Sequence, residues 1–122
     1  MTRINAAIPP ARLQNKHLLA EHREIKRIPN QISKGRYNLD GIPDEFCLGT
    51  GHVKFFYDKL LYLLNRYHQI HRECKRRGFN VQDWSAAWDG VPSTLMNDWQ
   101  PDDRVRELLE TRIRERGGFL EE

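Results

Sequence analysis

The residues best suited to chemistry lie near the start of the chain. Thr2 follows Met1, and because threonine is small, an aminopeptidase is expected to remove Met1 and expose a threonine α-amine. An α-amine ordinarily has a pKa of roughly 7.7–8.0 and is a nucleophile at neutral pH without the desolvation that a lysine requires. Glu24 lies nearby, between Arg23 and Arg27. An amine, a carboxylate and neighbouring arginines together suit imine chemistry on a sugar–phosphate substrate.

Glu24 is the main candidate for a catalytic carboxylate. On a helix it shares a face with His17 and Glu21. Arg23 and Arg27 are four residues apart, a spacing at which two guanidinium groups can grip one phosphate or adjacent ones. The alternative is an exposed helix whose charges pair locally, such as Glu24 with Arg27. The cations of this region, however, outnumber its acids and favour a bound anion: Arg3, Lys16, Arg23, Lys26 and Arg27 stand against Glu21 and Glu24.

Composition predicts one soluble domain spanning residues 1–122. Hydrophobic residues make up 39% of the 122 and charged residues 30%, which is enough for one modest core. No apolar run approaches the ~20 residues of a membrane span, and the start lacks the apolar core of a signal peptide. The cysteines show neither disulfide nor metal spacing. We therefore expect no membrane contact and a location in the cytoplasm of a prokaryotic or virally infected cell.

The net charge of +3 hides an asymmetry along the chain. Residues 1–82 carry 15 Lys and Arg against 7 Asp and Glu, a balance of +8, whereas residues 83–122 carry 5 against 10, a balance of −5. A basic first two-thirds is the footprint expected of a protein that binds a polyanion such as nucleic acid. The alternative is a solvated surface with uneven charge.

The hydrophobic pattern predicts an all-α protein of three main helices joined by long irregular loops. The first helix is expected from Pro9-Pro10 to about Arg27, because Pro29 discourages helix from residue 28 onward. Residues 29–51, rich in Gly, Pro, Asn and Asp, are expected to be irregular.

The second helix is the clearest element and is expected to form the spine of the core. Gly78 ends it. A third helix is expected to begin at Pro101-Asp102-Asp103 and to run to about Arg116. The seam of the second helix repeats at spacings of three and four: Val53, Phe56, Leu60, Leu63, Tyr67, Ile70 and Cys74.

Other clusters carry weaker signals. His68, His71 and Cys74 recur at three-residue spacing, but zinc usually requires four converging ligands, so no metal is expected. His52 is placed at a helix start without a clear role. The basic run 75–77 suits either a helix C-terminus or DNA. The three tryptophans are either packing residues or stacking surfaces for a displaced base: Trp84, Trp88 and Trp99.

The chain resembles the pyrimidine-dimer DNA glycosylases of the phage endonuclease V type. The resemblance is carried by blocks in the right order, which together cover most of the chain: Met1-Thr2-Arg3-Ile4-Asn5; His17-Leu18 with Ala20-Glu21 and Arg23-Glu24; Leu48-Gly49 and Gly51-His52-Val53; Phe55 to Leu60; and Arg77-Gly78-Phe79-Asn80.

The resemblance implies an all-α domain that removes the 5′ base of an ultraviolet-induced cyclobutane pyrimidine dimer and then cleaves the strand as an AP lyase. It implies that the Thr2 amine attacks C1′ to form an imine and that Glu24 is the essential carboxylate. It implies damaged double-stranded DNA as the partner, a monomer, and no metal or organic cofactor. By matching positions, the residues lining the site or contacting DNA would be Arg3, His17, Arg23, Arg27, Arg112 and Arg116.

Two alternatives stay open. Residues 117–122 differ from the aromatic-rich tail of the phage enzyme, so the substrate is alternatively a bare abasic site or another modified pyrimidine. The second alternative is a non-catalytic DNA-binding module. The intact Thr2, Arg23 and Glu24 argue against that module.

Overall fold

A computed structural model describes residues 2–121, and these contain helices and turns without strands. The expected all-α class is therefore confirmed. Within this range the five α-helices are α1 (Asn15–Glu24), α2 (Arg27–Ser33), α3 (His52–Phe55), α4 (Leu60–Arg76) and α5 (Asp103–Glu115). Three short 3-10 helices accompany them: Pro10–Arg12, Ser85–Trp88 and Ser93–Leu95. The three longest elements, α1, α4 and α5, are the three main helices that the sequence predicted.

The seam of α4 forms the spine of the core, as predicted. Leu63, Tyr67, Ile70 and Cys74 are fully buried, and α1 packs against this helix. The C-cap is Arg77, and Gly78 follows with φ of 83°, the left-handed conformation that ends a helix most readily at glycine. The helix begins later than the pattern suggested, because Val53 belongs to the separate α3 and Phe56 is the C-cap of α3.

The predicted course of the first helix was wrong in two respects. The segment after Pro9 is a short 3-10 helix, and α1 starts only at Asn15. Residues 27–33 form α2, although the rule for Pro29 predicts no helix there. Proline lacks an N–H and its ring crowds the carbonyl four residues earlier, so the interruption falls near Ile25. Pro29 itself sits in the first turn of α2, where an N–H has no helical partner in any case.

The third helix follows the prediction closely. The Asp102 carboxylate accepts a hydrogen bond from the Val105 N–H at 3.0 Å and caps α5, an interaction worth about 1 kcal/mol. Val105, Leu109 and Ile113 point into the core. Arg112 lies on the same face, seven residues after Val105, and contacts Asn5 of the N-terminal segment, which comprises residues 2–14 before α1.

The three tryptophans are packing residues. Trp88 is buried and donates its indole N–H to the Leu60 carbonyl at 3.0 Å. Trp99 stacks on Phe46 with ring centroids 5.9 Å apart and meets Tyr62 edge-on. Trp84 is partly buried and also packs against the core, with the Lys26 ammonium over its ring.

Candidate active site

A small cleft brings together most of the residues singled out in the sequence. It lies where the N-terminal segment passes between α1 and α5, so its walls come from three separate parts of the chain. Its lining includes Arg3, Asn5, His17, Ala20, Glu21, Glu24, Arg112, Ile113 and Arg116. Arg23 stands at its rim, and Arg27 lies outside it on the exposed start of α2.

Glu24 lies directly beside the N-terminal segment. Its Oε1 accepts a hydrogen bond from the main-chain N–H of Arg3 at 3.2 Å, and its Oε2 lies 3.4 Å from the Arg23 guanidinium. The Glu24 side chain is 13% exposed, whereas that of Arg23 is 60% exposed. The three bonds from the Thr2 nitrogen to the Arg3 nitrogen sum to about 4.3 Å. The Thr2 nitrogen therefore lies within about 7.5 Å of the carboxylate. The expected loss of Met1 concerns a residue outside the described range.

A buried ion pair supports the floor of the cleft. Arg66 of α4 donates to both oxygens of Glu21, at 2.8 and 3.1 Å, and to the Ile8 carbonyl. The exposed fraction of these two charged side chains is 2% and 0%. Asn5 donates to Glu21 Oε1 at 3.0 Å and accepts from Arg112 at 3.1 Å. The network links the N-terminal segment to α1, α4 and α5 at once.

A second support comes from His52 at the start of α3. Its Nε2 lies 3.0 Å from the Ile4 amide nitrogen and its Nδ1 lies 2.9 Å from the Cys47 carbonyl oxygen. The ring is buried and meets Phe46 and Phe56 edge-on. Gly51 precedes it with φ of 90°, a conformation that glycine adopts without strain.

Three arginines make the cleft strongly cationic. Burial, together with the charges of Arg3 and Arg116, lowers the pKa of Arg112 to about 10. An arginine resists deprotonation at neutral pH. The three positive charges therefore face two carboxylates in the cleft, those of Glu21 and Glu24, and Glu21 is already paired with Arg66. The arrangement thus favours binding of a phosphate or another anion at this position.

His17 presents an unsatisfied nitrogen at the same place. Among the residues that the structure describes, its Nε2 is buried without a hydrogen-bond partner. Burial lowers the pKa of His17, and the Lys16 charge adds to the effect. The neutral imidazole is therefore favoured, and one of its ring nitrogens is unused within the described part of the protein.

The edge of the cleft continues into a cationic surface with one aromatic ring. The Lys26 ammonium lies 3.5 Å from the centroid of the Trp84 ring. Partial burial lowers the pKa of Lys26, as do the charges of Arg27 and Arg23. Stacking on an aromatic ring and contact with phosphates are the two interactions that such a surface offers to nucleic acid.

Other candidate groups have structural partners. Arg77 donates to Glu73, Asn15 and the Pro10 carbonyl and joins α4 to the N-terminal segment, so it is not free to lie along DNA. The nearest nitrogens of His22 and His71 are 2.9 Å apart. Within residues 2–121 no group of three or more His, Cys, Asp and Glu side chains is placed to hold a metal. None of the described helices is long and apolar enough to cross a membrane.

Sequence reasoning did not recognise the residues that support the cleft. Asn5, Glu21 and Arg66 form the buried network, and His52 holds the N-terminal backbone. In the sequence Glu21 looks like one more surface charge. Arg66 carries a signal nonetheless, since it lies three residues after Leu63 and four before Ile70 of the apolar seam of α4. A charge at that position needs a buried partner.

Comparison with known families agrees with this geometry. Residues 1–85 match the family model described as pyrimidine dimer DNA glycosylase. The matched range includes the N-terminal segment, α1, α3 and α4, while α5 with Arg112 and Arg116 lies beyond it. Since 85 of the 122 residues are matched, the chain belongs to the pyrimidine dimer DNA glycosylase family.

Proposed function

We propose that this protein removes the 5′ base of a cyclobutane pyrimidine dimer in double-stranded DNA and then cleaves the strand as an AP lyase, through an imine on the Thr2 α-amine. The observation that carries the proposal is the hydrogen bond between the Arg3 N–H and Glu24, which keeps a carboxylate next to the residue that would bear the amine. The cationic cleft supports a phosphodiester substrate.

In the first step the lone pair of the Thr2 amine attacks C1′ of the damaged nucleotide. The N-glycosidic bond breaks, and the base departs with the bonding electrons and takes up a proton. Positive charge builds on the sugar during this cleavage, and a nearly buried carboxylate such as Glu24 stabilises it. Loss of the amine proton and opening of the sugar ring then give a C1′ imine.

In the second step the imine acidifies the hydrogens on C2′. A base, for which Glu24 is the candidate, removes one of them. The electrons of that C–H bond form the C2′–C3′ double bond, and the bond from C3′ to its phosphate oxygen breaks. Hydrolysis of the imine releases the enzyme. Neither step requires a metal or an organic cofactor.

The cations have two roles in this scheme. Arg3 and Arg23 lie close to the N-terminus and favour the uncharged, nucleophilic form of the amine by lowering its pKa. Arg27, Arg112 and Arg116 contact phosphates and orient the duplex, while His17 hydrogen-bonds the sugar–phosphate. We expect a monomer to suffice, because all of these groups come from one chain.

The direct test uses protein freed of Met1 and two labelled duplexes, one with a thymine dimer and one with an abasic site, each with and without borohydride. Borohydride reduces an imine to a stable amine, so a covalent adduct whose linkage maps to Thr2 and strand cleavage on both duplexes are expected. A matched sample that retains Met1 should form the adduct much more slowly.

Each contrary outcome has a definite meaning. If only the abasic duplex reacts, the imine mechanism is retained, but the substrate is a lesion other than the pyrimidine dimer. Salt-dependent binding without any adduct would contradict the catalytic proposal and favour a binding module.

A further inference from the structure

The N-terminal segment is held by side chains on both of its flanks. The Arg3 N–H donates to Glu24 and the next N–H, that of Ile4, donates to His52. Consecutive N–H groups of an extended chain point in opposite directions, so the two contacts fix the segment between α1 and the start of α3. Ile4 is fully buried, which prevents its side chain from turning outward.

The partners of His52 define its tautomer. A main-chain N–H can only donate and a main-chain carbonyl can only accept. His52 therefore carries its hydrogen on Nδ1, toward Cys47, and presents a lone pair on Nε2 to Ile4. A protonated imidazole has no lone pair to offer, so the contact with Ile4 exists only with the neutral ring.

The surroundings keep the ring neutral and oriented. Burial lowers the pKa of His52 to about 4, and the charge of Arg112 acts in the same direction, although Glu21 and the bond to Cys47 oppose it. Phe46 and Phe56 meet the ring edge-on, with centroids 5.3 and 5.6 Å away. The imidazole is thus a fixed acceptor at neutral pH.

We propose that His52 is a positioning residue for the nucleophile, which acts by binding the Ile4 N–H and so fixing where the Thr2 amine stands relative to Glu24. This inference rests on the proposed function. His52 does not touch the reacting atoms, because its contact is with the main chain of Ile4, beyond both Thr2 and Arg3. Its effect is on the rate of attack, since displacement of a reacting group by about 1 Å can slow a reaction by about 10²-fold.

Two substitutions of His52 distinguish a role in positioning the main chain from a role in packing alone. In His52→Gln the amide oxygen reaches the place of Nε2 and can still accept from Ile4. In His52→Asn the shorter amide reaches only the place of Nδ1, so the bond to Cys47 can form and the bond to Ile4 cannot. The Gln and Asn side chains are otherwise alike in polarity.

The experiment measures borohydride trapping on an abasic duplex, under saturating DNA, for the wild-type protein and both variants. We expect the Gln variant to stay within about 3-fold of the wild type and the Asn variant to slow by about 10²-fold, with the same DNA dissociation constant. Equal loss in both variants, or an Asn variant as fast as the wild type, would overturn the role of His52.

A measurement on the unmodified protein covers the case in which a variant does not fold. Nitrogen-15 chemical shifts distinguish an Nδ1–H imidazole from an Nε2–H one. The Nδ1–H form is expected for His52 at pH 7, and the Nε2–H form or a charged ring would overturn the inference. Absence of any adduct with wild-type protein would instead contradict the proposed function, so the two failures are distinguishable.

Discussion

The main-chain N–H of Arg3 donates a hydrogen bond to the Glu24 carboxylate at 3.2 Å, so the first residues of the chain and the end of α1 form one structural unit. The contact uses a carboxylate oxygen as acceptor, which an amide oxygen can replace. Glutamine at position 24 therefore preserves the structural contact while it removes the negative charge. This separation makes the proposed role of Glu24 testable without loss of the fold.

Glu24→Gln is expected to lower base excision by about 10²–10⁴-fold, because the substitution removes both the stabilising charge and the proton acceptor. DNA affinity and melting temperature should change little. Single-turnover assays on a dimer-containing duplex, with binding measured in parallel, check this. Glu45→Gln is the matched control, since the Glu45 side chain is 82% exposed and does not line the cleft. Full activity of the Glu24 variant would refute the assignment.

Glu21→Ala is expected to reduce the free energy of unfolding by about 3–5 kcal/mol, because it leaves the Arg66 charge buried without its partner. Urea titration monitored by circular dichroism measures the change. The comparison is Glu121→Ala, which removes a partner that is 58% exposed and lies 3.4 Å from Arg12; about 1 kcal/mol or less is expected there. If both variants lose a similar free energy of unfolding, the buried Glu21–Arg66 pair is no more important for stability than an exposed one.

Stability is expected to fall as the pH is lowered from 6.5 toward 4. Burial lowers the pKa of His52 and of His22 to about 4, helped for His22 by the neighbouring His71. The two imidazoles bind protons more readily in the unfolded chain than in the folded one. The free energy of unfolding is therefore highest above pH 6.5, and between pH 6.5 and pH 4 it falls by about 3 kcal/mol for each residue. Hydrogen bonds from Arg76 hold the pKa of Glu73 at about 2, so its contribution is lost only below about pH 4.5.

Urea unfolding at several pH values measures this dependence. His68→Gln should leave the curve unchanged, because the His68 side chain is exposed. A stability that is constant between pH 7 and pH 5 would show that the two buried rings do not govern it.

Arg27→Ala is expected to weaken binding to all DNA sequences alike and to reduce the slope of log K against log salt by about 0.9, the value for one phosphate contact. Arg27 is exposed and shares a cationic surface with Arg23. Fluorescence anisotropy across a salt series gives the slope. Arg106→Ala is the control, since Arg106 already pairs with Asp103 at 2.8 Å. An unchanged slope for Arg27→Ala would exclude this phosphate contact.

The sequence predicted the elements with strong periodicity and explicit end signals. The seam of α4, its end at Gly78 and the Asp102 cap of α5 are all legible, because each depends on residues close together in the chain. Pro29 shows the limit of local rules: the proline looks like a stop signal, but its missing N–H interrupts the helix one turn earlier and allows α2 to begin.

The supporting parts of the site depend on contacts that no local pattern encodes. Glu21 looks like a surface charge until Arg66 is placed against it, and the two are 45 residues apart. His52 meets Ile4 across 48 residues. The residue types of the candidate site are visible in the sequence, whereas their partners emerge only from the packing of α1, α3 and α4.

The hydrogen bond from Arg112 to Asn5 joins residues 107 positions apart, which has a consequence for the order of folding. Closing so long a loop costs conformational entropy that only the finished set of contacts recovers. The cleft therefore cannot be complete until α5 has docked, even if α1 and α4 have already paired. A chain still lacking α5 would be without part of its arginine cluster, so the cleft exists in full only when the whole domain has folded.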